Sequence, residues 1–232
     1  TPASDTYESW PEEWSDLRTL DPCCGSGHFL VAVFLMLVPM RMEREELSAT
    51  EAVDAVIKDN IHGLELDQRC VELAAFTLAL TAWRYPEAGG YRMLPELHIA
   101  CSGLSISAKK DEWLTLASNN TMRLIAMEEL YEQFKNAPTL GSLINPGVSL
   151  GKGDLFQMEE GEVEPLLIRA LAGEREDQEN ELAVVARGIV KAAEILSSSY
   201  QLVFTNVPYL ASAKQDESLR TYSTSRYPDA AQ

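Results

Sequence analysis

The sequence predicts an α/β domain, a mainly parallel sheet flanked by helices, with a helical and loop insertion. Short apolar runs alternate with longer stretches whose apolar residues recur at helical spacing, which is the order of successive βαβ units. The first run ends in Asp21 and a glycine turn, Gly25-Ser26-Gly27, that opens directly into a helix-like stretch. The groups with most chemical character also fall where strand-like runs end, and in such sheets ligands sit beyond the carboxyl ends of the strands.

Leu17 to Leu20, ahead of Asp21, is short and apolar and reads as the first strand; His28 to about Met42 reads as the first helix. Its apolar run, Phe29 to Met40, is too short to span a bilayer and contains Pro39, so a buried helix is expected. Ser48 with Glu51 makes a capping-box pattern, and Ala52, Val53, Val56 and Ile57 follow at helical spacing, giving a second helix to about Asp59. Ile61 to Leu66 reads as a buried strand, and Asp67 caps a helix with Val71, Leu73, Phe76, Leu80 and Trp83 as its apolar residues. Leu97 to Ile106 offers a third strand with a Ser/Gly bend, and Leu124, Met127, Tyr131 and Phe134 form a helical stripe after it. Asn136 to Gly153 is rich in Pro and Gly and Glu159 to Asn180 is acidic, so about 107–180 is expected to be an insertion within a single domain spanning 1–232. Leu182, Val185, Ile189, Ala193 and Leu196 make another helical face, followed by a strand from Tyr200 to Thr205. Trp83 and Trp113 are expected in the core, and Trp10 and Trp14 on the surface or against further N-terminal residues.

A chain of 232 residues with 46% hydrophobic residues suffices for one good-sized core. The first fifteen residues hold four acids and two tryptophans, unlike a secretory leader, so a cytoplasmic protein with no membrane span is expected. Cys23, Cys24, Cys70 and Cys101 contain no C-x-x-C pair, and His28, His62 and His98 have no ligand-like spacing, so neither a disulfide framework nor a metal site is expected. The net charge of −17 is awkward for a protein that grips DNA, because phosphates are held largely by Lys and Arg. Either nucleic acid is not the substrate, or the basic, groove-reading surface lies in segments outside these residues.

Asp21-Pro22-Cys23-Cys24-Gly25-Ser26-Gly27-His28-Phe29 follows the first strand. Its glycines let the backbone turn tightly and approach a ligand, while the next helix offers free N–H groups, so a nucleotide-like ligand is implied. His62-Gly63-Leu64-Glu65-Leu66-Asp67 closes the second strand. An acid there can accept both ribose hydroxyls, and the residue after it can pack on the base, which makes Glu65 the expected ribose ligand and Leu66 its apolar neighbour. The first of these stretches resembles motif I of the amino-methyltransferases, especially the DNA adenine enzymes. That resemblance implies a Rossmann-like fold that binds S-adenosylmethionine, with Asp21 and Pro22 at the strand end, Asp21 facing the methionine ammonium, Gly25, Ser26 and Gly27 in close approach, and Phe29 packing nearby.

Gly153-Asp154-Leu155-Phe156 resembles the same family's motif III, which implies that Asp154 accepts the adenine amine of the cofactor and Leu155 packs on the ring; the bend Cys101-Ser102-Gly103 could occupy the same place. Thr205-Asn206-Val207-Pro208-Tyr209 resembles motif IV, usually Asn-Pro-Pro-Tyr. An aryl amine is a poor nucleophile because its lone pair is delocalised. Hydrogen bonds to the Asn206 side-chain oxygen and the Val207 carbonyl would favour a pyramidal nitrogen, and Tyr209, after Pro208 in the motif, would stack on an adenine flipped from the duplex. Val207 stands where the first proline is usual, which keeps the carbonyl but not proline's fixed φ. The resemblance extends to the large bacterial methyltransferases of the Eco57I and PglX type, of phage exclusion and restriction-modification. It implies N6-adenine methylation of double-stranded DNA, with a target-recognition region and other defence-system subunits lying beyond this piece of chain. A protein glutamine N-methyltransferase, which shares Asn-Pro-Pro-Tyr, and a catalytically weak cofactor-binding subunit are the alternatives.

Overall fold

Four short strands, β1 (Thr19–Asp21), β2 (Ile61–Glu65), β3 (His98–Cys101) and β4 (Leu202–Val203), form one parallel sheet in the order β3-β2-β1-β4. They are seen in a computed structural model that describes residues 10–104, 106, 109–115, 121–144, 178–206 and 215–228. The chain divides into two units, residues 1–101 with 191–205, and residues 102–190 with 206–232. The sheet lies wholly in the first, whose helices are α1 (His28–Arg44), α2 (Ala49–Ala55) and α3 (Gln68–Arg84). The second holds α4 (Lys110–Thr115), α5 (Thr121–Phe134), α6 (Ala137–Leu140), the larger part of α7 (Gln178–Ser197), and α8 (Glu217–Arg226).

An α/β architecture with a parallel sheet flanked by helices is thus present. The chain leaves β1 for β2 and β3 on one side and comes back to β4 on the other, so the strand order reverses between β1 and β4. A crevice at such a switch point is where open α/β sheets take their ligands. The crossover from β1 to β2 uses α1, then α2, then a π-turn at Val56–Asn60. The capping box starts α2 as the sequence predicts: Ser48 Oγ accepts the Glu51 N–H, and Glu51 Oε2 accepts the Ser48 N–H at 3.0 Å. Asp67 likewise caps α3 by accepting the Arg69 N–H at 2.9 Å.

The core of the first unit is Leu30, Phe34 and Val38 of α1, Val53 of α2, Leu64 of β2 and Leu78 of α3. Two expectations need correction. The first helix is not wholly buried: Leu30, Phe34, Leu37 and Val38 face inward, while Phe29, Leu35, Met36 and Met40 are exposed. Apolar residues all round a helix do not say which arc the sheet covers. In α3 the inward face is Val71, Ala74, Leu78, Ala79 and Ala82; Leu73, Phe76 and Leu80 point outward and Trp83 is only half-buried, because small alanines let the helix lie close to its neighbours. In the second unit Trp113 is fully buried and donates its indole N–H to the Met127 carbonyl at 2.7 Å, and Phe134 is fully buried too. No helix among the described residues is long and apolar enough to cross a membrane.

A polar device ties the strands together on the sheet. His62 of β2 stacks on His98 of β3 with ring centroids 5.0 Å apart, and its Nδ1–H donates to the Thr19 carbonyl at 3.2 Å, leaving Nε2 to accept from Arg18 at 3.4 Å. Burial first, then the neighbouring His98 and the Arg18 charge, pull the His62 pKa from the usual 6.5 down to about 4. The unfolded chain therefore binds a proton that the fold refuses between those values, and stability falls as pH drops through that window. Between pH 7 and pH 4.5 the wild type should lose roughly 2 kcal/mol more than His62→Gln. Denaturant midpoints at the two pH values check this; equal losses would contradict it.

Candidate functional site

The glycine turn begins where β1 ends. Asp21, the last residue of β1, is fully buried (0% exposed), and its Oδ1 accepts the Cys23 N–H at 3.1 Å. Cys24 N–H donates to the Leu64 carbonyl and Gly27 N–H to the Cys24 carbonyl, each at 2.9 Å, which fixes the turn against β2. Gly25 and Gly27 have φ of +53° and +85°, a region that L side chains rarely adopt. A Cβ on Gly27 would stand 3.0 Å from the Ala74 Cα, so this position is where the turn packs on α3; a Cβ on Gly25 would meet nothing within 4 Å, so its outer side is open. No side chain caps the first turn of α1, and none of its residues is acidic, so its positive pole is left facing the turn. Ser26 Oγ lies 2.9 Å from His28 Nδ1.

Glu65 closes β2, two positions beyond Gly63, the register partner of Asp21. Its carboxylate is anchored by backbone donors: Oε2 accepts the Gly25 N–H at 2.8 Å, and Oε1 the Leu66 N–H at 2.7 Å and the Asp67 N–H at 3.3 Å. The acid and the glycine turn are therefore brought together, with the half-exposed Leu66 side chain (46%) beside them. On the β4 side the Phe204 N–H bonds the Leu20 carbonyl at 3.0 Å, and the exposed Phe29 ring lies 6.5 Å from that of Phe204.

Burial raises the Asp21 pKa, opposed by the Cys23 N–H and the Thr205 side chain, while the negative charge of Glu65 raises it further. Its second oxygen, Oδ2, is buried without a partner of hydrogen-bond geometry among the described residues, although the Thr205 side chain acts on the same carboxylate. An orphaned buried carboxyl oxygen is rare and calls for a donor. Burial also pushes the Cys24 thiol up to about 12 and raises that of Cys23, so neither is a thiolate at neutral pH. Among the described residues no group of three His, Cys, Asp or Glu side chains is placed to hold a metal.

Pro22 lies in the turn and Asn206 directly follows Thr205, exposed, at the end of a described stretch. Val207, Pro208 and Tyr209, and Asp154 and Leu155, lie outside the described residues. Two residues named in the sequence only within longer stretches take part directly: Thr205 acts on Asp21, and the Cys101 thiol donates to the Leu66 carbonyl.

A parallel α/β unit with a glycine turn at the end of β1 and an acid at the end of β2 presents these groups where open α/β sheets take their ligands. Comparison with known proteins narrows it. Residues 4–94 match the profile of the MmeI DNA-methyltransferase domain, a stretch that contains both the glycine turn and Glu65. The chain is 26% identical over 255 aligned residues to the adenine-specific methyltransferase BrxX of Escherichia coli O9:H4 (strain HS), covering 99% of this chain and 20% of that protein. It is 25% identical over 213 residues to the adenine-specific methyltransferase PglX of Lacticaseibacillus casei (strain Zhang), 92% of this chain and 17% of that protein. Over 83 residues it is 31% identical to the PglX of Streptomyces coelicolor. The chain is thus similar to proteins named adenine-specific methyltransferases, and it spans about a fifth of the length of the curated relatives it matches.

Proposed function

We propose that this chain carries the cofactor-binding catalytic core of a DNA methyltransferase that transfers a methyl group from S-adenosylmethionine to the N6 amine of adenine, in restriction-modification or phage defence. The observation that carries the reading is the unsatisfied Asp21 Oδ2, buried at the switch point beside a glycine turn that Glu65 holds. Relatives named adenine-specific methyltransferases supply the substrate class.

The residues fit the cofactor. Asp21 offers an acceptor for the amino-acid ammonium, the open side of Gly25 admits the methionine backbone, and Glu65 is the carboxylate placed to accept the ribose hydroxyls. Leu66 and Phe29 give apolar surface on either flank. When bound, S-adenosylmethionine supplies a methyl group made electrophilic by its sulfonium. Asn206, at the end of the β4 segment, accepts a hydrogen bond from the target amine together with the Val207 carbonyl, and Tyr209 stacks on the flipped base. No strong base is required, since the amine proton leaves after transfer. Asp154 and Leu155 are assigned to the adenine ring of the cofactor.

The test is methyl transfer by the full-length protein from labelled S-adenosylmethionine, with duplex DNA and with a release factor as competing acceptors. Label in DNA adenine is expected, and Asn206→Ala should lower it at least about 100-fold with cofactor affinity unchanged within about twofold. Label in glutamine would overturn the reading. The acidic balance of −17 and Val207 favour one second reading, a cofactor-binding subunit without turnover, for which the cofactor would bind and neither acceptor would be labelled.

A further inference from the structure

Glu65 accepts from three peptide N–H groups, and one of those peptide units is gripped at both ends. The N–H of the Leu66–Asp67 peptide donates to Glu65 Oε1 at 3.3 Å, and its carbonyl, the Leu66 oxygen, accepts the Cys101 thiol at 3.3 Å. Cys101 ends β3, is the register partner of Glu65, and is 4% exposed. A thiol, a peptide, a carboxylate and the Gly25 N–H therefore run in series from β3 across β2 to the turn after β1.

We propose that Cys101 is a positioning residue for the ribose-binding carboxylate, acting through the Leu66–Asp67 peptide; this rests on the cofactor reading above. Holding the Leu66 carbonyl fixes the plane of that peptide, and with it the N–H that Glu65 uses and the direction of the Leu66 side chain. Free cysteine usually serves as a small buried hydrophobe, for which valine is an adequate substitute. A donor role makes a different demand: serine must replace cysteine better than valine does, although valine matches its buried character more closely.

The experiment is calorimetric titration of the full-length protein with S-adenosylhomocysteine, for the wild type, Cys101→Val and Cys101→Ser, with melting temperatures recorded alongside. Cys101→Val is expected to raise Kd about three- to tenfold, and Cys101→Ser to stay within about twofold of the wild type, the loss following the donor and not the melting temperature. If Cys101→Val does not fold, Cys101→Ala carries the same comparison. Valine binding like the wild type, or serine as weak as valine, overturns the proposal. A wild type that binds no S-adenosylhomocysteine refutes the cofactor reading itself, and the role of Cys101 falls with it.

Discussion

Glu65→Gln should weaken binding of S-adenosylhomocysteine about 100-fold while the protein stays folded. The carboxylate has two jobs. It accepts backbone N–H groups from Gly25, Leu66 and Asp67, and on the cofactor reading it also accepts from the ribose hydroxyls. Glutamine keeps the shape but offers one acceptor oxygen. Its NH2 must then face either the Gly25 or the Leu66 N–H, donor against donor, and the charge-assisted bonds to the ribose are lost as well. The fold survives because the freed amides are at a rim that water can reach. Calorimetry on the full-length variant reads the effect, and a change below about threefold would show that Glu65 does not hold the ribose.

Arg41→Met should destabilise the fold by about 3 kcal/mol, the lower end of the range for breaking a buried ion pair from one side. Arg41 is buried in α1, and its guanidinium meets Glu45 at 2.9 Å, Asp59 at 2.7 Å and the Asn60 side-chain oxygen at 3.1 Å. Asn60 is itself fully buried and passes the network on, donating to the Trp14 and Leu17 carbonyls at 2.7 and 2.8 Å. Methionine fills the volume of the arginine stem but leaves Asp59 and Asn60 without their donor. The acids are partly exposed, 25% for Glu45 and 23% for Asp59, so water relieves some of the penalty. Denaturant unfolding should show a lower midpoint with an unchanged slope, and a loss under about 1 kcal/mol would mean that the network is peripheral to stability.

Elements written in local chemistry were legible in the sequence. Ser48 and Glu51, and Asp67, cap the helices they announce, and the glycine turn follows β1 where its residues place it. What was illegible depends on partners distant in the chain. Arg41 sits in the last turn of α1, where a cation complements the helix dipole on any surface, and only the return of Asp59 and Asn60 turns it into a buried hub. Cys101 stands out in the sequence only as part of the bend Cys101-Ser102-Gly103, and its place opposite Glu65 comes from the β2–β3 register. The arc of a helix that a sheet covers is likewise set by packing, so the apolar residues of α1 and α3 do not by themselves mark which sides are exposed. α8 was missed because its capping residue, Asp216, leads into serines, threonines and arginines with little apolar periodicity.

The most direct measurement is a crystal structure of the full-length protein with S-adenosylhomocysteine bound. The account predicts the ribose hydroxyls on the Glu65 carboxylate and the amino-acid ammonium on Asp21 Oδ2, with the nucleoside over Leu66. A ligand seated away from the carboxyl ends of β1 and β2, making no contact with Glu65, would contradict it.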